Sequence, residues 1–234
     1  MLLLACLFEE FRKVSKANYG LDPAHYISAP QLSWDAMLHL TYCKLGLIQD
    51  KAMFEMIDGG IRGGVSMVSK RHAKANNPYM GAAYDPTKPN KYIMYWDANN
   101  LYRWAMSQPM PFGGFHWVDD EEIKKIDWLT QTDTQPYGYF VECDLEYPEN
   151  LHDDHNDFPL ASERMGIQAK HLSDYQVRVR RNYAMPKSSK TTKLVPNLLP
   201  KHKYTCHYLN LNFYLQHGMK FGKIYRVIKF QQSK

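Results

Sequence analysis

Apolar residues recur at helical spacing from the start of the chain. Leu3, Leu4, Leu7, Phe8, Phe11 and Val14 share one face, which predicts a helix over residues 2–17. Asn18-Tyr19-Gly20 stops it, with the glycine near the first position past the helix end. Asp22-Pro23 and Ala29-Pro30 mark a loop. Leu32, Met37, Leu38 and Tyr42 give residues 31–45 an inward face, and residues 51–58 read as a short helix closed by Asp58-Gly59-Gly60. The period then changes. Val65-Ser66-Met67-Val68 alternates like a strand, residues 70–90 are polar and broken by Asn76-Asn77-Pro78, and residues 91–97 (Lys91-Tyr92-Ile93-Met94-Tyr95-Trp96-Asp97) have strand composition. A helix is expected over residues 100–107, then a loop through Pro109, Pro111, Gly113 and Gly114, a short acidic helix within 119–129, and a strand over 138–147. Residues 150–200 read as mostly irregular, with a short strand at 175–181. Residues 201–217 mix strand and helix signals, and 219–230 form a third strand centred on Ile224-Tyr225-Arg226-Val227-Ile228. The pattern as a whole is that of an α/β (α+β) chain.

Composition narrows the class. With 234 residues, 44% apolar and 14% aromatic, the chain can bury a sizeable core as one large or two small domains, and disorder over its length is excluded. The formal charge of +5 is unevenly placed. Residues 61–91 carry Arg62, Lys70, Arg71, Lys74, Lys88 and Lys91 against the single acid Asp85. Residues 178–203 carry Arg178, Arg180, Arg181, Lys187, Lys190, Lys193, Lys201 and Lys203 with no acid, and residues 118–157 between the two stretches are acidic. Two basic stretches around an acidic one suit a polyanion track beside a site that needs carboxylates; solvated loops are the plainer reading. Cys6, Cys43, Cys143 and Cys206 form no CxxC pair, which argues against a zinc ribbon or a disulfide framework and fits a reducing, intracellular setting. No stretch approaches the ~20 apolar residues of a membrane span, so no membrane partner is expected. Met1 to Phe8 lacks a basic leader region and runs into Glu9-Glu10, so it reads as a buried helix that begins upstream.

The residues that bear chemistry lie in 92–106. An apolar strand would deliver the Asp97 carboxylate at its exposed end, and Ala98-Asn99-Asn100-Leu101-Tyr102 would turn into a helix. Free N–H groups at a helix start favour phosphate oxygens, and a carboxylate beside them can hold Mg²⁺ bridging those phosphates. Two-metal phosphoryl transfer needs at least one more carboxylate from a neighbouring strand. An Asp that merely caps the helix explains the same residues. Leu151-His152-Asp153-Asp154-His155-Asn156-Asp157 contains HxxH with acids, but no strong helix anchors the spacing and a polar loop is expected rather than a zinc site.

The string Asp97-Ala98-Asn99-Asn100-Leu101-Tyr102 resembles motif A of B-family DNA polymerases, D-x-x-S/N-L-Y. The wider run Tyr95-Trp96-Asp97-Ala98-Asn99-Asn100-Leu101-Tyr102-Arg103-Trp104-Ala105-Met106-Ser107 is similar to the organellar and viral protein-primed branch, including Maverick/Polinton-type elements. Leu21-Asp22-Pro23-Ala24-His25-Tyr26 and Ile61-Arg62-Gly63-Gly64 resemble segments that precede motif A in that family. Phe158-Pro159-Leu160-Ala161 and the stretch from Leu198-Leu199-Pro200-Lys201 to Gln232 resemble segments that follow it. Arg103 and Ser162 depart from the family pattern, standing where Gly and Pro are common.

The resemblance implies a fragment of a DNA-directed DNA polymerase. Asp97 would be a catalytic and metal-binding carboxylate, with the carbonyl of Ala98 a further ligand to Mg²⁺. Asn99, Asn100 and Leu101 would touch the triphosphate of a dNTP, and Tyr102 would lie under its sugar as a steric gate. Arg62, Gly63 and Gly64, helped by Lys70 and Arg71, would contact the DNA primer-template, since glycines allow close backbone approach and Arg pairs with phosphate. Residues 1–60 would be the helical end of an RNase H-like exonuclease domain, 61–90 a DNA-contacting linker, and 91–234 a partial polymerase palm with an antiparallel sheet. An insertion at about 150–200 would face duplex DNA and a terminal priming protein. Motif B, with its triphosphate-gripping Lys, and motif C, with the second metal carboxylate, do not occur here and are expected beyond Lys234. Nucleotidyl transfer by these residues alone is not expected, and a catalytically inactive DNA-binding remnant is the alternative. An integrated eukaryotic element would place the product in the nucleus.

Overall fold

The protein is described from a computed structural model that covers residues 2–184 and 192–233; Lys187 and Lys190 of the second basic stretch lie outside the described residues. The chain is a mixed α/β structure that divides into two compact units, Met1–Leu47 and Ile48–Lys234.

In the first unit, α1 (Leu2–Tyr19) and α2 (Ala29–Thr41) flank a turn anchored by Asp22. Asp22 accepts from the Ala24 N–H at 3.0 Å, from the Arg12 guanidinium at 2.9 and 2.7 Å, and forms an ion pair with Lys16 at 2.8 Å. The Arg12 hydrogen bonds foremost hold its carboxyl far below the usual carboxylate range. α2 buries only Leu32 and Ala36, and α1 buries only Ser15. The apolar stripe expected to be buried, from Leu3 to Val14, is instead exposed, because two helices supply one contact line and it runs through the second half of α1. α2 stops at Thr41, short of residue 45, because Tyr42 adopts the left-handed conformation at φ 54° and donates its N–H to Leu38.

The second unit is built on a four-stranded antiparallel sheet. α3 (Lys51–Gly60) opens it, and Asp50 accepts the N–H groups of Ala52 and Met53 at 2.7 and 3.1 Å. The other Asp50 oxygen takes the indole N–H of Trp117 at 3.0 Å, which lowers its pKa and ties the helix start to the sheet. Met53 and Met56 pack on Ile228. α3 therefore belongs to the sheet unit, and the break in the chain falls at 47/48 rather than near 60. α4 (Leu101–Met106) follows, then β1 (Met110–Trp117), the one-turn α5 (Asp120–Ile123), β2 (Tyr137–Glu146), the one-turn α6 (His152–His155), β3 (Glu163–Gly166), α7 (Asp174–Asn182), β4 (Thr192–Val195), β5 (Lys201–His207), α8 (Tyr208–Gln216) and β6 (Lys220–Ser233). Sheet order is β1-β6-β2-β5, and β3 pairs with β4 in a separate hairpin. Strands β5 and β6 both run antiparallel to β2, so the crossover through α8 straddles β2.

Alternation decides the faces. Tyr139, Val141, Cys143 and Leu145 of β2 point into the main core with Tyr204, Cys206, Tyr208, Leu211 and Val227. Phe140 and Ile228 face α3 on the opposite side. Gly138 is the closest point of this packing. A Cβ there would lie 2.6 Å from both Phe230 Cζ and Tyr208 Cε1. Gly138→Ala is expected to lower stability by about 1–3 kcal/mol in urea melts, since neither buried ring has room to retreat.

His207 caps α8. Its Nδ1 accepts the Leu209 N–H at 3.4 Å, and its ring is enclosed by Phe140, Tyr208 and Phe230. Burial pushes its pKa down from 6.5 to about 4. The unfolded chain therefore takes up this proton first, and stability is lost as pH falls through the window from about 6.5 to about 4. The loss should approach ~3 kcal/mol at its lower end, and His207→Phe should flatten that limb of a melting-temperature profile.

Three expected strands are absent. Residues 65–68 and 91–97 are irregular, apart from a single bridge between Asn76 and Lys91. Residues 175–181 lie in α7, whose start is fixed by a reciprocal Ser173–Gln176 capping box. Conversely, residues 110–117, expected as a loop, form edge strand β1. Register shifts after Pro111 and Gly113 absorb the proline and glycines, and Gly114 sits at φ 65° with Gln231 where a Cβ would go.

Candidate nucleic-acid interface

Asp97 stands in an exposed, irregular stretch that leads into α4. It is not at the rim of a sheet, because no segment pairs with residues 92–97 and a lone strand leaves its backbone groups unmatched. The apolar side chains that would have faced a sheet are solvent-facing instead: Tyr95 is 92% and Trp96 80% exposed. Ala98 and Asn99 are likewise exposed, Asn100 caps α4 from the left-handed region at φ 55° without a side-chain bond, and Leu101 and Tyr102 project outward from the first turn. The six residues of the motif thus form one accessible turn-and-helix segment.

A magnesium ion does not fit the residues present. Asp97 and the Ala98 carbonyl are too few donors, and among the described residues no three His, Cys, Asp or Glu are placed to hold a metal ion. Two of the three carboxylates of strand β2 are committed elsewhere. Glu142 receives both guanidinium arms of Arg226, at 2.9 and 2.8 Å. Asp144 accepts the Lys203 N–H at 2.9 Å and the Tyr225 hydroxyl at 3.0 Å; the first of these chiefly lowers its pKa.

Arg62, expected on phosphate, turns inward. Its guanidinium lies 3.9 Å from the Tyr204 ring centroid and donates to the carbonyls of Gly60 at 2.8 Å and Thr205 at 2.6 Å. Gly60 fits closely on β5, where a Cβ would meet Thr205 Cγ2 at 2.8 Å. Gly63 and Gly64 have open space around them, so nothing within the protein demands glycine there. Arg164 of β3 donates to the Ile61 carbonyl at 3.3 Å and braces the same turn.

Further along, Lys70 pairs with Asp157 at 2.7 Å, and the Arg71 guanidinium lies 5.6 Å from the Tyr175 ring on α7. Tyr175 precedes Arg178, Arg180 and Arg181 on that helix, and Arg178 and Arg181 are exposed. Two basic stretches more than a hundred residues apart in sequence therefore meet on one side of the sheet unit. The His152–His155 segment is a helical turn packed on Tyr147: the Tyr147 hydroxyl accepts the Leu160 N–H at 3.1 Å and meets His155 Nδ1 at 2.8 Å. Among the described residues, no helix is long and apolar enough to cross a membrane. Family models, curated proteins and solved structures were compared with this chain, and none matches it.

Proposed function

We propose that this chain is part of a protein-primed B-family DNA polymerase and brings one carboxylate, Asp97, to a template-directed nucleotidyl-transfer centre. The observation that carries the reading is the run of residues 95–107, with Asp97 open to solvent immediately before α4. The antiparallel sheet of the second unit is consistent with a partial palm, and the helices of the first unit with the end of an RNase H-like exonuclease. On this reading residues 98–102 meet the dNTP, Tyr102 stands against its sugar, and the basic side chains from Arg71 to Arg181 follow the primer-template. A priming protein would approach the segment at about 150–200. Among the described residues none completes a magnesium site with Asp97, and on this reading the second carboxylate would be that of motif C.

Primer extension by a chain prolonged through its downstream reading frame tests this. Asp97→Asn should abolish most extension, and equal rates for the two chains would overturn the role of Asp97. A second reading, a DNA-binding remnant without catalysis, draws on the meeting of Arg71 with α7, which needs no carboxylate. It predicts that the 234-residue chain binds DNA with an affinity falling steeply with salt.

A further inference from the structure

Part of α8 faces away from the core. Tyr208, Leu211 and Asn212 point into the sheet unit's interior, Tyr214 packs on the core's edge, and Asn210 and Phe213 are exposed on the other side at helical spacing. That side forms a wall of a cleft of about 390 Å³. Opposite stand Arg62 and Gly63, the Phe158–Ser162 turn, and Leu194 of β4. A chain of mostly edge-on ring contacts runs from the cleft along α8. The Arg62 guanidinium lies on Tyr204, Tyr204 meets Tyr214 edge-on at 6.3 Å, Tyr214 meets Phe213 at 6.2 Å, and Phe213 lies 4.1 Å from the ring of His217. Phe158 and Phe213 remain 67% and 46% exposed at its mouth. Asn210 is exposed and makes no hydrogen bond among the described residues, so its amide offers both donors and an acceptor. No acid lines the cleft, whereas Arg62 does, and Arg164 braces its edge.

We propose that this cleft takes an unstacked nucleobase of single-stranded nucleic acid. The base lies against Phe213 and Phe158, its edge meets the Asn210 amide, and its phosphate lies on the Arg62 side of the cleft. Exposed aromatic faces, an uncommitted amide and a lining that holds Arg62 and no acid match the chemistry of a base and its phosphate better than that of a peptide. The proposal rests on the nucleic-acid reading above but not on Asp97 or on catalysis.

Fluorescence anisotropy of the full chain with a labelled oligothymidylate, and with a blunt duplex of equal length, tests it. Phe213→Ala should weaken single-strand binding about fivefold or more, the low end for loss of one stacked base. The salt slope and duplex affinity should stay within about twofold, because phosphate contacts set those. Phe213→Trp should restore affinity, and its added indole emission should be quenched by the oligonucleotide. The proposal is overturned by any of three results: Phe213→Ala binding the single strand within about twofold of the parent chain, single-strand and duplex affinity falling together, or the added indole emission of the Phe213→Trp variant failing to respond. Displacement by a polyglutamate peptide as readily as by the oligonucleotide would point to an acidic peptide and would also overturn it. None of these outcomes depends on primer extension, so failure here and failure of the polymerase reading are distinguishable.

Discussion

Lys201→Ala should be among the most destabilising single changes in this protein, at about 3–5 kcal/mol. The Lys201 side chain is fully buried at the start of β5. Its ammonium carries three donors, and three acceptors meet them: Glu163 Oε1 at 3.2 Å, the Asn197 carbonyl at 3.1 Å and Asn197 Oδ1. Asn197 in turn donates to Glu163 at 2.9 Å. The network ties the β3–β4 hairpin to the edge of the main sheet. Burial lowers the pKa of Lys201, and Glu163 opposes the shift. Truncation to Ala would leave Glu163 without its cation, strand two oxygens of Asn197 and open a cavity the length of the lysine stem. Lys201→Met keeps the volume and should cost clearly less. Urea melts of both variants measure the difference; a Lys201→Ala loss under about 1 kcal/mol would show that the network contributes little.

Asp97→Asn should have the opposite profile, with a large effect on chemistry and none on stability. In the prolonged chain, primer extension should fall on the order of 10³-fold, because on the polymerase reading Asp97 would help hold the cation that offsets charge on the transferring phosphoryl group, worth several kcal/mol. Melting temperature and DNA affinity should not move, since Asp97 is exposed and makes no hydrogen bond or ion pair among the described residues. A loss of extension accompanied by an equal loss of DNA affinity would reassign Asp97 to binding.

Much of the sheet could be read from alternation. Strand β2 and strand β6 bury every second residue over much of their length, and their apolar periodicity predicted them within one to three residues of where they run. Failures came where a segment's fate depends on a neighbour. Residues 92–97 are as rich in strand-forming side chains as β2, but no other strand lies alongside them. β1 has poor strand composition, yet it pairs because β6 offers an edge and bulges accommodate Pro111 and Gly113. For residues 175–181 the Val-Arg-Val-Arg alternation suggested a strand, whereas Ser173 and Gln176, three apart, held the stronger helix-start signal.

The same distinction governs the site. Asp97 was legible from its motif as an accessible carboxylate. Arg62 was read from its resemblance to a DNA-contacting turn and from its charge, neither of which can tell a phosphate contact from a stack on Tyr204, 142 residues away in sequence. The outward face of α8 was missed, although Asn210, Phe213, Tyr214 and His217 recur at i, i+3, i+4 and i+7. That spacing was masked by the equally apolar inward face.

One of the two inner strands, β6, is also the last in chain order among the described strands. β1 pairs with no other strand than β6, and β2 needs β6 along one whole side. During translation these two segments must therefore wait, unzipped along those sides, until residue 233 has left the ribosome. A nascent chain stalled just before β6 should recruit chaperones and be cut readily by protease, and release of β6 should close this four-stranded sheet in a single step.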